Sequence, residues 1–180
     1  MAAITMLEMG NAGANAGANA GSQRPGARFW RLLACIGAGA LPGVVGSQFG
    51  PGAWYAALDK PSLTPPGWVF PVVWTALYLA MGVALFLFLD RTARSDRARR
   101  LGLGLFVAQL VLNGAWSWLF FGLERPGLAL FDIVALWALI AATMAVFTLR
   151  RRAAAALLAP YLAWVSFATY LNFEIWRLNG

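Results

Sequence analysis

The sequence predicts an all-α integral membrane protein, a bundle of five transmembrane helices. Three observations carry that prediction. The 180 residues are 61% hydrophobic and only 12% charged, whereas soluble domains run nearer half apolar and about a quarter charged. Apolar stretches of roughly 20 residues recur, each long enough to cross about 30 Å of hydrocarbon as a helix. Basic residues gather in alternate loops between those stretches, as the positive-inside rule expects. Barrel strands would instead alternate polar and apolar residues.

The elements follow in order. Residues 1–28 contain the low-complexity run NAGANAGANAG. Gly, Ala and Asn cannot build a core, so a disordered tail is expected. No apolar segment precedes Arg24, which argues against a signal peptide there. A secretory or lipoprotein signal around LLACIGAGA and Cys35 is disfavoured, because Arg31 breaks the run and apolar residues continue past any cleavage point. The first span is expected over 29–49, followed by a Pro-rich loop over 50–67. The second is expected over 68–89, then the charged loop DRTARSDRARR. The third covers 101–123, the fourth 127–149 after the turn Glu124-Arg125-Pro126, and the fifth 154–176.

Arg24, Arg28 and Arg31, the arginines of 91–100, and Arg150 to Arg152 all fall on one side of this threading. In a bacterial cell membrane that puts the N-terminus in the cytoplasm and the Pro-rich loop outside. The same distribution explains the net charge of +7 without nucleic acid. Gly39 and Gly43 form a GxxxG pair, and Gly104 and Ala108 a looser one, which let helix backbones approach within a subunit or between two.

Function classes narrow next. One cysteine, Cys35, allows no internal disulfide, and the chain has no histidine. The usual acid/base near neutral pH and the commonest metal ligand are both missing, so no metal site is expected. Polar residues inside lipid face a bundle interior or a cavity. Gln109 and Asn113 lie at i and i+4 on one face of the third span, with Ser117 a turn further. The later spans add Asp132, Thr143, Ser166, Thr169, Asn172 and Glu174. Interhelical hydrogen bonds are the ordinary use of such residues. The two amides are the best candidates for holding a polar ligand edge in an apolar pocket.

Nine tryptophans are many for this length. Trp54, Trp68 and Trp176 fall near expected interfaces, where an aromatic belt accounts for them. Trp74, Trp116, Trp137 and Trp164 fall deeper, where they either pack a core or wall a site for a flat ligand.

The segments WYAALDKPSLTPPGWVFPVVWTALY, LNGAWSWLFFG and APYLAWVSFATYLNFEIWRLN resemble the TspO/MBR family, also called translocator protein or peripheral-type benzodiazepine receptor. The resemblance runs from the first span to the chain's end and is to a bacterial-type member. It implies a five-helix bundle, a homodimer and a pocket beneath the long first loop. It implies porphyrin or haem-type tetrapyrrole ligands, benzodiazepine-site-type ligands, and roles in sensing, regulation, stress response or transport. Light-dependent porphyrin breakdown is an enzymatic alternative that needs neither cofactor nor histidine, and Trp74 and Trp164 are its candidate participants. A transporter of porphyrins or lipid-like molecules is a third reading, although no inverted repeat is evident.

Carried over by motif, the expected ligand contacts are Phe70, Trp74, Tyr78, Gln109, Asn113, Trp164, Ala168 and Leu171. The expected lid comprises Trp54, Tyr55, Pro61, Pro65, Pro66 and Trp68. Its prolines restrict the backbone and stiffen it. Two departures stand out. The family's sterol-recognition segment has a Tyr where 171-LNFEIWR-177 has Phe173 and Glu174, and the spacing from Tyr170 to Arg177 is one residue too long. That counts against cholesterol, leaving sterol or other lipids as secondary partners. Leu63 stands where relatives often have Trp.

Overall fold

Helix starts in this protein follow backbone chemistry more closely than hydropathy. A computed structural model describes residues 25–90 and 96–180. The helices are α1 (Pro25–Gly46), α2 (Ala53–Ala57), α3 (Val69–Leu89), α4 (Asp96–Ser117), α5 (Pro126–Thr148), α6 (Arg152–Ala156) and α7 (Ala159–Asn179). A π-helical turn, Trp118–Gly122, continues α4. Among the described residues there is no strand. Five helical stretches among the described residues are long and apolar enough to cross a membrane, and the five-span bundle is thereby observed.

Prolines stand where a missing N–H costs least. Pro126 opens α5 and Pro160 lies in the first turn of α7, positions whose N–H groups have no partner inside the helix anyway. Pro71 likewise falls in the first turn of α3. Pro42 is the exception, lying inside α1. Its ring nitrogen cannot donate to the carbonyl of residue 38, so α1 loses one rung there.

The observed boundaries differ from the expected ones in four places. The expected tail over 1–28 overlaps α1, which already includes residues 25–28; the remainder of that tail lies outside the described residues. The charged loop is shorter than expected, because α4 begins at Asp96. Arg and Ala are strong helix formers, and hydropathy marks where lipid ends, not where a helix does. Residues 91–95 lie outside the described residues. The fifth span divides at Leu157–Leu158, since Pro160 has no N–H to bond the carbonyl of Ala156. Finally, the loop over 50–67 contains the short helix α2.

In the part of the chain from Leu32 to Gly180, the closest packing is α4 on α5, followed by α5 on α7. The core holds Met81, Phe88, Phe106, Leu136, Ile140, Phe147, Leu158 and Tyr161, all buried. Near the Arg150 end, Phe88 and Phe147 stack at 4.0 Å with 6° between planes, and Phe106 extends the stack at 6.1 Å. A Cβ on Gly102 would come within 2.4 Å of the Phe88 ring, so the stack depends on that residue's lack of a side chain. The Arg150 guanidinium covers Phe88 at 5.2 Å.

The GxxxG pair serves intramolecular packing. A Cβ on Gly39 would lie 2.9 Å from the Gly82 nitrogen, and one on Gly82 would lie 2.4 Å from the Ile36 Cα. The backbones of α1 and α3 therefore touch there, with Gly43 against the Tyr78 ring. Gly104 has open space beside it. At the end opposite Arg150, Phe120, Ala129 and Ile175 form a second apolar cluster that receives Trp54, Tyr55 and Leu58 of the loop.

Candidate functional site

Between the aromatic stack and the loop lies a cavity of about 890 Å³. Ligand pockets usually measure about 300–1,000 Å³, so this one is large. Its walls come from the lid-side parts of α1, α3, α4 and α5, from α7 between Trp164 and Ile175, and from the loop itself.

Three tryptophans from three helices reach it: Trp74 of α3, Trp116 of α4 and Trp164 of α7. Trp74 stacks on Tyr78 at 5.3 Å and meets Tyr161 edge-on at 6.1 Å. Trp164 meets Phe70 edge-on at 5.9 Å. Its indole nitrogen is buried and has no hydrogen-bond partner. An indole N–H is a donor only, so Trp164 meets the cavity with its ring while its N–H stays sealed and unpaired. The Trp116 N–H is committed, donating to Asn172 Oδ1 at 2.9 Å. Asn172 in turn donates through Nδ2 to the Pro126 carbonyl at 2.8 Å, tying α4, α5 and α7 together at the lid end.

Asn113 lines the cavity, yet it is only 5% exposed. The Tyr78 hydroxyl donates to its Oδ1 at 3.1 Å, and its Nδ2 donates to the Tyr161 hydroxyl at 2.8 Å. This bridge joins α3, α4 and α7. Its amide is thus largely spent on the protein, and a ligand meets a phenol–amide network instead of a free amide. Gln109 does not join it in the cavity wall. It is 0% exposed, and neither amide atom has a hydrogen-bond partner. The physical reason is depth: four residues from Asn113 toward the Arg end carry Gln109 about 6 Å along the axis, past the cavity and into packed core.

Of the expected contacts, Phe70, Trp74, Tyr78, Asn113, Trp164, Ala168 and Leu171 line the cavity, and Gln109 does not. Of the expected lid, Tyr55 and Pro65 line it. Trp54 packs behind it, 5.8 Å from Phe120, while Pro61 is buried and Trp68 points outward. Pro66 is absent from the lining as well. Trp137, among the deep tryptophans, is 42% exposed and donates to Ser166 at 2.8 Å on another face of the bundle.

Sequence reasoning passed over several wall residues. Phe120 and Phe121 line the cavity from the π-helical turn. The extra residue in such a turn swings successive side chains onto one side, so both rings contact Tyr55, at 6.2 and 5.4 Å. A π turn leaves no periodicity in so short a stretch. Lys60 was legible only as a loop charge, yet it lines the mouth. The loop is held in place by reciprocal bonds to the end of α7: the Asp59 N–H donates to Asn179 Oδ1 and Asn179 Nδ2 donates to the Asp59 carbonyl, each at 2.9 Å. Burial against the phenylalanines holds the Tyr55 phenol above its ordinary pKa, so it stays protonated.

Comparison with known proteins agrees with this architecture. The model of the TspO/MBR family matches residues 31–177. The chain is 46% identical over 151 residues to tryptophan-rich protein TspO of Chlorobaculum tepidum, covering 82% of this chain and 95% of that one. It is 40% identical over 153 residues to the tryptophan-rich sensory protein of Cereibacter sphaeroides, covering 85% and 92%. It is 43% identical over 138 residues to the translocator protein of Homo sapiens, covering 75% and 82%.

Proposed function

The chain belongs to the TspO/MBR family, and on that footing we propose that it is a membrane tetrapyrrole-binding protein, a porphyrin sensor, regulator or carrier that also accepts benzodiazepine-site-type ligands. The observation that carries this reading is the cavity wall of Trp74, Trp116 and Trp164. A porphyrin is broad, flat and apolar, and indole faces suit it. A volume of about 890 Å³ is ample for a macrocycle. The names of two relatives speak of sensing and of translocation, and both uses begin with the same bound ligand. A homodimer, with sterol or other lipid as a secondary partner, belongs to the same reading.

The test is a titration of the purified full-length protein with protoporphyrin IX, followed by quenching of tryptophan emission. Saturable quenching at one site is expected, with affinity falling about tenfold or more in Trp74→Phe/Trp164→Phe, as loss of about 1.4 kcal/mol would give. Unchanged affinity in that double variant would remove the cavity from consideration.

One arrangement favours a second reading, light-driven porphyrin degradation. Trp74 touches both Tyr78 and Tyr161, so redox-active rings lie together beside the cavity. Light would excite the porphyrin and dioxygen would be the oxidant, with the protein supplying position. Irradiating the complex in air decides it: a new linear-tetrapyrrole absorption supports turnover, and porphyrin loss no faster than in detergent alone rejects it.

A further inference from the structure

Lys60 is the one charged side chain among the described residues lining the cavity, and no acidic residue accompanies it. The rest of the wall is apolar, aromatic or neutral polar. The ammonium is fixed in place by uncharged groups. Nζ donates to the carbonyls of Ala56 at 3.2 Å and Leu58 at 3.0 Å, and lies 4.8 Å from the centre of the Tyr55 ring. None of these contacts neutralises it. An ammonium has three donors, and the two carbonyls use two of them. The third donor and the whole charge remain at the mouth of a cavity whose low-polarity walls strengthen electrostatic attraction.

We propose that Lys60 is the anion anchor of this cavity, which selects among flat apolar ligands those bearing a carboxylate at one edge and seats that carboxylate beneath the lid. The proposal rests on the tetrapyrrole reading and adds the ligand's charge and its orientation. The macrocycle stacks inward among the tryptophans, and the acidic edge faces the loop. This division suits the fold. Asn113 and Asn172, the two amides in the wall, are already committed to protein partners, which leaves Lys60 as the charged group that can recognise an anion. Charge-assisted hydrogen bonds are about twice as strong as neutral ones.

Lys60 also braces the turn after α2 through the same carbonyls, so the test must separate anchoring from bracing. Protoporphyrin IX and its dimethyl ester share a macrocycle and differ in charge. Both are titrated against the full chain in nanodiscs of zwitterionic lipid, with lipid-only discs as reference, for the wild type, Lys60→Met and Lys60→Arg. The expected result is a fall of about ten- to a hundredfold in diacid affinity for Lys60→Met. Diester affinity should be unchanged, and Lys60→Arg should keep most of the diacid affinity. An equal fall for both ligands would show that Lys60 only braces the lid, and an unchanged diacid affinity would also overturn the anchor. Failure of the wild type to bind either ligand would instead overturn the reading of the cavity itself, and the anchor with it.

Discussion

Asn113 and Gln109 show how far two similar residues can diverge one turn apart. Asn113 bridges Tyr78 and Tyr161, so Asn113→Ala strands the fully buried Tyr161 phenol and releases Tyr78 at the cavity wall. Leaving a buried polar group unpaired costs about 1–3 kcal/mol. The variant is expected to unfold at a visibly lower temperature in detergent, and its porphyrin affinity should drop with Tyr78 released. Gln109 has no such partners. Gln109→Met keeps the volume and removes two unmet hydrogen-bonding groups, so it should be neutral or raise stability by up to about 2 kcal/mol. Porphyrin affinity should not change. A clear loss of affinity in Gln109→Met would return that residue to the ligand site. The sequence placed both amides on one face correctly, but depth relative to a cavity depends on where other helices end, which spacing within one helix does not record.

Helix α1 is held to α3 by close backbone approach, and that contact responds to single atoms. A Cβ on Gly82 meets the backbone of Cys35 and Ile36, which cannot rotate away as a side-chain tip can. Gly82→Ala should therefore push the helices apart and cost about 1–3 kcal/mol, read as an earlier thermal transition. Gly37, on the same helix, has nothing near it. Gly37→Ala should gain up to about 1 kcal/mol from helix propensity alone, and a loss there would refute this account of α1. The loop offers an independent test. Asn179 holds Asp59 by two hydrogen bonds, so Asn179→Ala should raise the porphyrin dissociation rate several-fold in stopped-flow displacement while leaving the bundle's thermal transition nearly unchanged. The prolines of the loop were legible in the sequence, whereas this clasp was not. It joins residues far apart in the chain, and neither carries an unusual local pattern.

Across the whole molecule, the charge pattern predicts a defined threading. With the N-terminus in the cytoplasm, a C-terminal reporter that is active only outside the cytoplasm should be active, and inactivity would invert the topology. A Cβ on Gly104 meets nothing within 4 Å, so the side chain of Gly104→Leu starts into open space within one chain. If α4 forms the homodimer face, that variant should run as a monomer on size exclusion while still binding porphyrin. Composition and hydropathy were enough to reveal the membrane, the five spans, the loop charges and the wealth of tryptophan. Each of these concerns transfer of a local segment from water to lipid, which a short window of residues decides by itself. Helix ends were less legible, since Arg-rich turns stay helical outside the hydrocarbon and Pro160 divides a span that hydropathy joins. The assembly of the cavity was decided only in three dimensions: which deep tryptophans share it, that Trp137 faces elsewhere, that Asn113 is already paired, and that Lys60 stands at the mouth. Those facts depend on the rotation and register of helices against one another, set by contacts such as Gly39 on Gly82 and Phe88 on Phe147 between residues that are distant in sequence.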